Sequence, residues 1–68
     1  MRYAVVIEKS PGGFEAHVPD LPNCVAVGNS LAETERLIKE AITFELVGMR
    51  EDGEEIPKAS SVAEYVDV

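Results

Sequence analysis

Apolar and polar positions alternate near the start of this chain and then change period. Tyr3, Val5 and Ile7 point to one side of an extended segment while Ala4, Val6 and Glu8 point to the other, so a strand here is apolar on much of both faces. That pattern predicts a strand in the centre of its sheet. Ser10-Pro11-Gly12-Gly13 combines a proline that fixes φ with two residues free to take positive φ, and a hairpin is expected there. Phe14, Ala16 and Val18 alternate with Glu15 and His17, giving the second strand a core face and a wet face. Pro19 and Pro22 donate no ladder hydrogen bonds and bracket a rigid loop before Val25-Ala26-Val27, the expected third strand.

Gly28-Asn29 interrupts that strand, and Ser30-Leu31-Ala32-Glu33 is a capping box that starts a helix at Leu31. At about 100° per residue, Leu31, Thr34, Ile38, Ala41, Ile42, Leu46 and Met49 share one stripe. This face is expected on the sheet. Leu37 and Phe44 form a flanking shoulder left for a partner. Glu45 falls inside the stripe, where a long side chain near a helix end reaches past its neighbours to water. Glu51-Asp52-Gly53-Glu54-Glu55 should end the helix, because negative charge is unfavourable at a helix C-terminus and Gly53 can turn left-handed. Pro57 prevents its resumption. The β-branched content of Val62 to Val68 predicts a last strand, although Ser61-Val62-Ala63-Glu64 also fits a capped helical turn. The expected class is α+β in the order β-β-β-α-β, a small, mostly antiparallel sheet with one helix on one face.

At 68 residues the chain is read as one domain, 1–68, with a core too small to be strongly stable alone. A single cysteine, Cys24, excludes an internal disulfide and supplies too few ligands for a structural zinc site, so self-association is the expected compensation. A homodimer through the Leu37/Phe44 shoulder or an unpaired strand edge is the simplest form. No apolar run is long enough for a membrane span and no secretion signal opens the chain, which reads as cytoplasmic. The net charge is −7, and residues 1–30 hold only −1 of it, since Arg2 and Lys9 face Glu8, Glu15 and Asp20. The acidity belongs to the helix and the segment after it. Such a field repels phosphate backbones and attracts basic proteins, and it also serves solubility.

The loop Pro19-Asp20-Leu21-Pro22-Asn23-Cys24 stands between Met1-Arg2-Tyr3-Ala4-Val5-Val6-Ile7-Glu8 and Gly28-Asn29-Ser30-Leu31-Ala32-Glu33-Thr34, with Arg50-Glu51-Asp52-Gly53-Glu54-Glu55-Ile56-Pro57 downstream. In order and spacing these segments resemble the HicB-like antitoxin family, over nearly the whole chain. The resemblance implies the same strand and helix order in a partial RNase H-like arrangement. It also implies an antitoxin whose partner, a HicA-type toxin, is a small basic ribonuclease of double-stranded-RNA-binding fold that cleaves messenger RNA through a catalytic histidine. The antitoxin domain would cover that site, with Asp20, Glu51, Asp52, Glu54 and Glu55 as contacts. Family members commonly append a helix-turn-helix or ribbon-helix-helix segment, and with none before Val68 this chain reads as a short form without direct operator binding. Asn23 stands where the family usually has glycine, a mild change because asparagine tolerates left-handed backbone. A stand-alone protein-binding or self-assembling module without a toxin is the competing reading.

Catalytic chemistry finds little support. His17 is the only histidine, on the wet face of a strand, and no second histidine completes a metal set. Cys24 has no basic neighbour in sequence to lower its thiol pKa. Glu8 and Asp20 could be nuclease carboxylates on paper, but two-metal chemistry needs several acids converging. Gly12-Gly13 lacks the lysine and following helix of a phosphate-binding loop. No pocket with converging polar groups for a small molecule is predicted. The expectation is a non-enzyme with no catalytic residue, metal or cofactor.

Overall fold

Residues 1–68 are described by a computed structural model in which three strands precede one helix: β1 (Val6–Ser10), β2 (Gly13–Val18), β3 (Leu21–Gly28) and α1 (Leu31–Glu51). The sheet is antiparallel in the order β1-β2-β3. Ser10 pairs with Gly13, so Pro11 and Gly12 alone make the hairpin turn. Gly12 takes φ +82°, which with proline before it is the pattern of a type II turn. One expected reversal is thus built from two residues.

Three sequence expectations are corrected. The first strand is an edge strand, not a central one. Its two apolar sides have different fates: Tyr3, Val5 and Ile7 pack against the core, while Val6 stays exposed on the open face. The centre goes to β2, which a short turn joins to a neighbour on each side. The third strand is longer than expected, running from Leu21 with Pro22 inside it. Pairing jumps from His17↔Val25 to Val18↔Leu21, so Pro22, Asn23 and Cys24 bulge out of the ladder at the sheet edge, where proline costs no pairing. The fourth strand, expected over 62–68, does not form: residues 54–68 carry neither helix nor strand. Its strand-forming residues pair with no strand of the chain, although β1 keeps an unpaired outer edge.

Only seven residues are buried, so tertiary stability rests on a few contacts. Ala16, Val18, Leu21, Cys24 and Ile38 form the centre, with Ala26, Ala41, Ile42 and Leu46 packed around them. Small side chains on the sheet let the helix approach closely. At Gly28 an added Cβ would lie 2.5 Å from Thr34 Oγ1 and 3.0 Å from the Thr34 nitrogen. Glycine is required here by space. Thr34 itself is fully buried and its hydroxyl donates to the Ser30 carbonyl at 2.8 Å.

Both helix ends follow from local chemistry. Ser30 Oγ accepts from the Glu33 amide at 3.1 Å, and Glu33 Oε1 accepts from the Asn29 amide at 3.2 Å. At the other end Gly53 adopts φ +72°, and the amides of Gly53 and Glu54 donate back to the carbonyls of Arg50 and Met49. Ser30→Ala is expected to lower stability by about 1 kcal/mol, read as a shift of the denaturation midpoint at constant slope. An unchanged midpoint would show that the cap contributes nothing to this helix.

Candidate partner-binding surface

Helix α1 packs on β2 and β3 and runs back toward the end of the sheet where β1 begins and β2 turns into β3. The acidic turn after it is therefore brought to that same end. Glu51, Asp52, Glu54 and Glu55 are all exposed there. Two residues on, the Pro57 carbonyl accepts from the Tyr3 hydroxyl at 2.6 Å, which fastens the chain beside the start of β1. The chain then crosses to Asp20, whose carboxylate accepts from the amides of Ser60 and Ser61, both at 3.0 Å, and from both serine hydroxyls. Donation from the Ser61 amide, with the other three bonds, holds the Asp20 carboxyl below the ordinary carboxylate range.

The residues expected to meet a partner thus fall into two groups. Asp20 lies at the same end as the four post-helix acids, but its oxygens are engaged with the tail. Leu37 and Phe44 sit a helical repeat of seven apart on the outer shoulder of α1, away from β1. Leu37 is half-buried, whereas Phe44 is 82% exposed beside Thr43, Val47 and the Lys39 and Glu40 side chains. The shoulder is a single aromatic ring with a shallow surround.

Two surfaces lie outside these expectations. A groove of about 570 Å³ runs between α1 and β1, floored by Tyr3, Val5, Ile7, Ile38, Ile42 and Leu46. It exists because the helix covers β2 and β3 and stops short of the edge strand. The second surface is the open face of the sheet, where His17 is flanked in register by Val6 and Val25, and Glu15 by Glu8 and Val27. Val25 and Val27 are about two-thirds exposed. Valines on alternate positions of β3, out of phase with Cys24 and Ala26, were the sequence signal for this face.

His17 is exposed and its side chain hydrogen-bonds to nothing in the chain. Cys24 is buried, and burial together with the nearby negative charge of Glu45 pushes its thiol up, away from thiolate chemistry. Nowhere do three histidine, cysteine, aspartate or glutamate side chains converge as metal ligands would. No helix is long and apolar enough to cross a membrane.

Comparison with known proteins supplies the family context. Residues 3–68 match the model of the HicB_like antitoxin of bacterial toxin-antitoxin systems. An uncharacterised protein from the rep-hol intergenic region of Haemophilus phage HP1 is 42% identical over 67 residues, 98% of this chain and 50% of that protein. The chain spans half the length of that relative. A UPF0150 protein of Helicobacter pylori is 47% identical over 47 residues, covering 69% of this chain and 65% of the relative. Another, from Thermoplasma acidophilum, is 36% identical over 59 residues, 85% of this chain and 86% of its own. Among solved structures, a chain of a HicA3 and HicB3 toxin-antitoxin complex superposes with a TM-score of 0.73 at 25% identity, over 87% of this chain and 70% of that one.

The Asp20 tether yields a pH prediction. Because the folded-state pKa is lowered, the tether is complete above the ordinary carboxylate pKa of about 3.9 and is lost as the pH falls through the lowered value. Asp20→Asn should release the tail at neutral pH, raising amide exchange of Ser60 and Ser61 by about tenfold. Equal exchange in the two proteins would show that the carboxylate does not hold the tail.

Proposed function

Since this chain belongs to the HicB-like antitoxin family of bacterial toxin-antitoxin systems, we propose that it binds a basic, HicA-type mRNA-cleaving ribonuclease and neutralises it by occlusion. The observation that carries this reading is the 0.73 TM-score to a chain of a HicA3 and HicB3 complex, together with the family match over residues 3–68. Physical chemistry supports it independently. A net charge of −7, of which −6 lies after residue 30, attracts a protein whose own surface is built to hold RNA phosphates. Glu51, Asp52, Glu54 and Glu55 form the steering end of the molecule, and Phe44 and Leu37 offer an apolar contact along the helix.

In this reading the protein acts in the cytoplasm and carries out no chemistry of its own. It does not touch nucleic acid directly, because the acidic field that draws the toxin repels phosphate. It works as a homodimer or higher homo-oligomer, for which the support is a core of only seven buried residues with no disulfide. Residues 1–68 act as a single domain in which sheet and helix form one folded unit.

Co-expression with the product of the adjacent reading frame tests the proposal. A stable complex and relief of growth arrest are expected, and the absence of both would leave a stand-alone binding module as the function. Reversing Glu51, Asp52, Glu54 and Glu55 to lysine changes two charges at each of four sites and takes the net charge from −7 to +1. Lysine suits a helix C-terminus, so the fold should survive. Association with the ribonuclease should slow by about tenfold at low salt and lose most of its salt dependence in stopped-flow measurements. His17→Ala should neutralise the toxin as well as the parent chain does.

A further inference from the structure

Residues 62–68 are the part of the molecule that the fold does not use. Val62, Tyr65, Val66 and Val68 are all at least three-quarters exposed, and no residue of this arm makes a hydrogen bond. The arm shows in the dimensions of the chain: its radius of gyration is 13.0 Å, against about 11 Å for a compact chain of this length. Four bonds from Ser60 and Ser61 to Asp20 hold its root at the β2–β3 turn. From that root the arm's own β1 lies on the far side of β2, behind residues 57–59 that have just crossed the sheet end. In this structure the arm pairs with no strand of its own chain.

Across β2 from that root, β1 has an unpaired outer edge and the groove between β1 and α1 is uncovered. We propose that two copies exchange these arms, residues 62–68 of each adding as an outer strand to β1 of the other and covering its groove. The exchange rests on the self-association in the proposed function and names its contact.

Length, pattern and charge agree. Seven extended residues span about 23 Å, and Tyr3–Ser10, the edge strand with its lead-in, span about 26 Å. Val62, Val66 and Val68 share one face of an extended arm with Glu64, and that face would lie on Val5, Ile7, Ile42 and Leu46. Lys39 and Arg50 line the groove without an ion-pair partner, the one salt bridge of the chain being Arg36–Glu40 at 2.9 Å. Glu64, on the arm face that meets the groove, brings the opposite charge, against a single acid, Glu35, in the groove. The other sheet edge is a poorer acceptor, since Pro22 in β3 lacks a donor and that side carries no groove. Two arms given and two received make a closed, two-fold contact.

Sedimentation of the chain alone, compared with a chain ending at Ser61, is the test. The deletion removes only exposed residues, so circular dichroism should be unchanged while the sedimenting mass falls from dimer to monomer. Isotope-filtered NMR on a mixture of labelled and unlabelled chains should then give contacts from Val66 and Val68 to Val5 or Ile7 of the other copy. A dimer that persists without the arm, a monomeric full chain, or arm contacts to β3 or within one chain would each overturn the exchange. The toxin is absent from these measurements, so the antitoxin reading stands or falls separately.

Discussion

The contact between Gly28 and Thr34 is the constraint on which the rest of the molecule depends. Where β3 ends, the absence of a side chain lets the first turn of α1 sit directly on the sheet, with Thr34 buried against the glycine and bonded to Ser30. A methyl group at that position would push the helix out of its seat. With its start fixed there, the helix can only run back over β3 and β2, on Cys24, Ala26 and Ala16, whose small side chains continue the close approach. The edge strand β1 is thereby left uncovered beside a groove. By the same geometry the acidic end of the helix is delivered to the corner where Tyr3, Asp20 and the tail meet.

Much of this layout was legible locally. The capping box at Ser30 and Glu33, the Pro11-Gly12 turn and the left-handed Gly53 each depend on residues within a few positions of one another, so their chemistry is written in short windows. Faces were also legible: Tyr3, Val5 and Ile7 inward, His17 and Glu15 outward. Strand position was not. An apolar residue on the second face of β1 is equally compatible with a central strand and with an edge whose face meets another protein, because periodicity reports a neighbour without saying whose it is. The same ambiguity governs 62–68, where strand composition is plain and the segment pairs with no strand of its own chain.

The candidate site was legible as charge and opaque as geometry. Counting acids located Glu51, Asp52, Glu54 and Glu55 after the helix, and the structure gathers them at one exposed end. Nothing in sequence announced that Asp20 would spend its carboxylate on Ser60 and Ser61, forty residues away, since that pairing depends on where the tail crosses. The groove between β1 and α1 was hidden for a related reason. It arises from the helix stopping short of the edge strand, a property of packing and not of any one segment.

The chain keeps its single thiol buried and its single histidine on an exposed face. Occlusion of a basic ribonuclease by the acidic end is the claim on which the function rests. Its most direct measurement is a titration of the isotope-labelled chain with that ribonuclease, followed amide by amide in NMR. The expected result is strong shifts or broadening over residues 51–55 and the adjoining Ser60–Ser61 segment, saturating at a fixed stoichiometry as messenger RNA cleavage ceases. Shifts confined to the open sheet face around His17 and Val25, or cleavage that continues at saturation, would contradict it.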